Sequence, residues 1–132
     1  MPLLAPTLTL RARGAAPADL VWERYVRLER WPHWSPQITG VDADGEVLRP
    51  GLRGVVRGWF GVGVPFVVTA VDEIARTWSW RVRVGPLTID LTHGVEADPA
   101  GSCTWLRVRG LLPAVAGYAP LALLALRRLV RP

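Results

Sequence analysis

A chain of 132 residues, half of them hydrophobic and a fifth charged, is long enough for one substantial core and too apolar to be disordered. The net charge is +5 and all 16 basic residues are arginines; they alternate with apolar residues in "WRVRV" and "LRVRG", the look of an outer sheet face, so nucleic acid is not an expected partner. The lone Cys103 excludes an internal disulfide and a cysteine-based zinc site.

The first residues, "MPLLAPTLTL", lack a basic region followed by an apolar core, so no secretory signal is read and the expected location is cytoplasmic. "TLTLRAR" alternates as a strand and stops at "GAAPADL". There Pro17 suits the first turn of a helix and Asp19 adds negative charge to that turn. Val21, Tyr25 and Leu28 then recur at helical spacing, predicting an amphipathic helix of about three turns.

"RWPHWSP" breaks that helix with two prolines and permits one short helical turn at most. It also sets two of the seven tryptophans, Trp31 and Trp34, on a single corner. From "ITGVDAD" onward the period is that of strands. "LRGVVRGWF", "PFVVTAVDEI", "RTWSWRVRV", "LTIDLTHGVEA" and "CTWLRVRG" are divided by "DG", "RPG", "GVGVP", "GP" and "DPAG". Separators so short and so rich in turn residues predict antiparallel hairpins. The run Gly110 to Leu126 is uncharged, but it is short for a bilayer span and carries Pro113 and Pro120. It reads as a buried C-terminal helix, with a surface anchor ending in "RRLVR" as the alternative.

Three stretches carry a resemblance. "APADLVWERYVRLERWPHWSPQITGVD", "EVLRPGLRGVVRG" and "THGVEADPAGSCTWLRVRG" resemble the START-like helix-grip superfamily (SRPBCC), in particular its polyketide cyclase/dehydrase branch. The likeness covers nearly the whole chain and implies a single domain over residues 1–132 of α+β class. Its expected form is a curved antiparallel seven-stranded sheet wrapped around a long C-terminal helix, with two short helices between strands 1 and 2. An apolar cavity between sheet and helix is implied too. The last strand of relatives often bears an acidic residue or histidine where this chain has Leu106 and Val108.

Alternation says which side chains face such a cavity. In "RTWSWRVRV", Trp78, Trp80, Val82 and Val84 share one face and the arginines the other, and unpaired guanidiniums are too costly to bury. In "LTIDLTHGV" the apolar face holds Leu87, Ile89, Leu91 and Val95, and His93 falls among them. Trp59 shares a face with Arg57 unless a bulge at "GWFG" turns it inward, and Phe66 lies on a strand apolar on both faces. Tyr118, on the last helix, offers a hydroxyl to a ligand or to the core. Trp34, Trp59, Phe66, Trp78, Trp80, Leu91 and Tyr118 are therefore the candidate ligand-binding residues. His93 is the candidate anchor or proton carrier, with core packing as its other role.

Nothing here encodes a nucleophile elbow, a phosphate-binding loop or a dinucleotide fingerprint, and two separated histidines do not make a metal site. No cofactor is expected. The leading expectation is a protein that binds a hydrophobic small molecule, aromatic, polyketide-like or lipid-like. The first alternative is an aromatase/cyclase in which His93 moves protons while the cavity folds a polyketone for aldol closure and dehydration. The second is a membrane-surface protein using its C-terminal helix. The sequence does not set an oligomeric state.

Overall fold

The structure, a computed structural model, describes residues 7–110 and 112–132, with the side chains of 112–118 excepted. Strands β1 (Thr7–Gly14), β2 (Ile38–Ala43), β3 (Arg53–Gly58), β4 (Gly63–Asp72), β5 (Thr77–Val84), β6 (Leu87–Asp98) and β7 (Gly101–Arg109) form one antiparallel sheet. Its order is β1-β7-β6-β5-β4-β3-β2, so β2 to β7 run as successive hairpins and β1 closes onto β7. Helices α1 (Ala18–Val26) and α2 (Trp31–Trp34) lie between β1 and β2, and α3 (Leu112–Leu129) follows β7. This is the expected architecture, including both short helices.

The inner face of the sheet is where the alternation puts it. Leu8, Leu10 and Ala12 of β1, Trp78, Trp80 and Val82 of β5, and Ile89, Leu91, His93 and Val95 of β6 turn toward the core, while Arg81, Arg83, Arg107 and Arg109 are exposed. Across the outer face Arg81 meets its register partner Asp90 at 2.8 Å. There the Trp105 ring covers Gly94, where an added Cβ would lie 2.3 Å from the indole. Arg107 stacks over the same ring.

Two bulges interrupt the alternation. In β4 the pairing skips between Val68 and Ala70, so Phe66 and Val68 face inward before it and Val71 after it. In β2 a second shift falls between Ile38 and Gly40.

Helix α1 ends sooner than the spacing predicted. Val26 is its last residue, because Arg27 is extended and bridges Val47. The Leu28 amide donates to Glu46 and the Leu48 amide to Val26, so Leu28 belongs to a separate turn, Leu28–Arg30. The described end of α3 packs against β1, β7 and α2 and buries Ala122, Ala125, Leu126 and Leu129 in the core. Arg24 of α1 donates to the Leu129 carbonyl at 2.7 Å and to that of Arg131, capping α3 where carbonyls lack helical partners. Among the described residues no helix is long and apolar enough to cross a membrane.

Candidate functional site: a tryptophan-packed end and an open cavity

The tryptophan corner finishes helix α1. A helix leaves its last four carbonyls without helical partners. Here Arg24 accepts from the Trp34 indole at 3.0 Å, Tyr25 from the Trp31 indole at 2.9 Å, Val26 from the Leu48 amide, and the capping Arg27 from the Arg30 amide. The two indoles thus replace solvent at a buried helix end, and their rings close that end of the concave face. Trp31 stacks on Trp78 with 5.5 Å between centroids and meets Trp80 edge-on at 5.2 Å. Phe66 joins them against Trp31 and Trp80.

His93 lies within this cluster, 3% exposed, with Trp78 parallel to it at 4.6 Å. The Trp80 indole N–H donates to His93 Nε2 at 3.2 Å, so that nitrogen carries no proton and the neutral ring carries it on Nδ1. Nδ1 faces Tyr25 Oη at 3.4 Å. Thr104 gives its single proton to the Gly94 carbonyl, so Tyr25 donates to Thr104 and accepts from His93. Both imidazole nitrogens are engaged, and burial lowers the histidine pKa to about 3. The space beside it, bounded by Trp34, Ser35, Trp78, Trp80 and α3, is about 20 Å³, the scale of one water molecule.

A larger cavity opens along the same inner face, toward the β3–β4 and β5–β6 turns. Its volume is about 480 Å³, within the range of small-molecule sites. Val56, Val64, Val82, Ile89 and Leu91 form its wall, Trp80 its inner end, and Trp59, Phe60, Val62 and Val84 its exposed mouth. Strand β3 stops at Gly58 and the chain turns through Trp59–Gly61, with Phe60 in the left-handed region at φ 60°. That turn, not a bulge within a strand, is what brings Trp59 to the cavity.

A profile of the family described as polyketide cyclase/dehydrase and lipid transport matches residues 6–131. The chain belongs to that family. Its fold is shared with solved structures at low identity. Ara h 8.0201 aligns with TM-score 0.73 and 16% identity over 94% of this chain and 95% of its own. Protein MLL2253 from Mesorhizobium loti gives 0.77 and 18% over 94% and 96%. Protein CV1439 from Chromobacterium violaceum gives 0.72 and 13% over 94% of each. No curated protein matches the sequence.

In this family member the residues singled out from sequence divide between the two sites. Trp59, Trp80 and Leu91 line the larger cavity. Trp34, Trp78 and His93 surround the water-sized space, and Trp80 borders both. Phe66 is 5% exposed within the aromatic cluster, facing Trp31 and Trp80. The Tyr118 side chain lies outside the described residues. Alternation marks Val82, Val84 and Ile89 as inward, but their place at the cavity depends on position along the strands. Gln37, Val62 and Val64 carried no sequence signal. Gln37 reaches the cavity from the α2–β2 link, Val62 from the β3–β4 turn and Val64 from the start of β4.

Proposed function

We propose that the protein binds a hydrophobic small molecule, aromatic, polyketide-like or lipid-like, in the 480 Å³ cavity and releases it unchanged. The observation that carries the reading is the separation of the cavity from the interior histidine. The space for a ligand is walled by valine, isoleucine, leucine and tryptophan, while His93 stands behind Trp80 with both nitrogens bonded. Trp59 and Trp80 would stack on a flat ligand, and the aliphatic strands would bury its faces. A cytoplasmic carrier or receptor, its one cysteine buried and reduced, completes the proposal.

The cyclase reading asks more of the site. His93 would have to give up the Trp80 bond to use Nε2, and a polyketone would have to reach a space fit for one water. Native mass spectrometry after incubation with aromatic and polyketone compounds separates the two readings. A retained compound of unchanged mass is the expected result. Protein-dependent release of a product one water lighter would overturn the carrier reading.

A further inference from the structure

We infer that Gln37 is the specificity-determining residue of the cavity, accepting a hydrogen bond from a hydroxyl on an otherwise apolar, uncharged ligand. This rests on the proposed binding role of the cavity. Among the described residues that line it, the side chains are aliphatic or aromatic except Gln37 and the two indoles. Trp80 has already given its N–H to His93. No charged side chain is among them, so a charged ligand would lose its hydration without gaining a counter-ion.

Gln37 adds an independent observation. Its amide oxygen Oε1 is buried and has no hydrogen-bond partner, a state that costs free energy until a donor arrives. The backbone around it is fixed: the Ile38 amide donates to Ser35 at 3.0 Å, closing a turn over Pro36 and Gln37. Ile38 then pairs with Gly58 at the end of β3. The side-chain amide therefore stands on a rigid corner of the cavity wall. A glutamine's last torsion is broad and roughly two-fold, so the amide can turn its oxygen to a donor in the cavity it lines. A hydroxyl suits the amide best, because it both donates and accepts.

The test is a matched pair of ligands, 2-naphthol and 2-methoxynaphthalene, titrated calorimetrically into wild type, Gln37→Leu and Gln37→Met. Comparing the ratio of the two affinities between proteins cancels the difference in ligand hydration. The ratio should favour 2-naphthol more strongly in wild type than in either variant, by about five- to tenfold, the scale of one hydrogen bond to a buried group. Unchanged near-ultraviolet circular dichroism reports that both variants are folded. An unchanged ratio in the two variants would overturn the role of Gln37 and leave the cavity reading standing. Failure of wild type to bind either ligand would overturn both.

Discussion

The two ends of one concave face are built on opposite rules. At the α1–α2 end the chain spends large rings and, Trp78 apart, commits their polar atoms. Trp31 and Trp34 finish helix α1, Trp80 holds His93, and Tyr25 links His93 to Thr104, leaving about 20 Å³ of space. At the turn end it presents mostly β-branched residues, Val56, Val64, Val82 and Ile89, whose short side chains leave about 480 Å³. A cavity in this fold is made by side chains too short to meet across it.

The contrast implies that damage at the closed end registers as lost stability and damage at the open end as lost binding. The largest effect is expected for Trp31→Ala. It removes a ring 1% exposed together with the hydrogen bond its indole gives the Tyr25 carbonyl, at a cost of about 3–5 kcal/mol in chemical denaturation. Next comes pH. His93 stays neutral in the folded state down to about pH 3, whereas an unfolded histidine takes its proton near 6.5. The unfolded chain therefore binds the extra proton between those values. Stability from this group is complete above about 6.5 and falls with acid by up to about 1.4 kcal/mol per pH unit. Denaturation curves from pH 7 to 4 should show that slope, and His93→Gln should flatten it.

At the open end Trp59→Ala should weaken binding of a flat ligand by about tenfold, the worth of one lost stacking contact. Because Trp59 is 49% exposed, stability should shift by no more than about 0.5 kcal/mol. The smallest effect is at Phe60, fully exposed at φ 60°. The left-handed conformation costs a non-glycine residue about 1–2 kcal/mol, and glycine's greater unfolded freedom offsets about 0.5–1 of that. Phe60→Gly should thus raise stability by about 0.5 kcal/mol, read from the denaturation midpoint.

The difference between the ends also marks what a sequence can reveal. The seven strands, the broken helix and the inward face of β5 and β6 were legible because each is written in local period and turn chemistry. The state of His93 was not. Its partners Trp80 and Tyr25 lie 13 and 68 residues away, and only the assembled sheet brings them together. Trp59 escaped a two-residue period because a helical turn, not a strand, carries it. Phe66 and Val71 fall on the same face only because the β4 bulge shifts the register between them. Alternation names a face; it does not say how far along the face the packing stops.

The most direct measurement is binding of 2-methoxynaphthalene to wild type, Val64→Trp and His93→Gln. Val64 is a half-buried residue of the cavity wall outside the aromatic cluster, so an indole there narrows the open end. The account predicts a loss of at least about tenfold in Val64→Trp, since the indole takes wall area that a bound ligand would bury. It predicts a change within about twofold in His93→Gln. Undiminished binding to Val64→Trp, with binding abolished in His93→Gln, would put the ligand beside the histidine and contradict it.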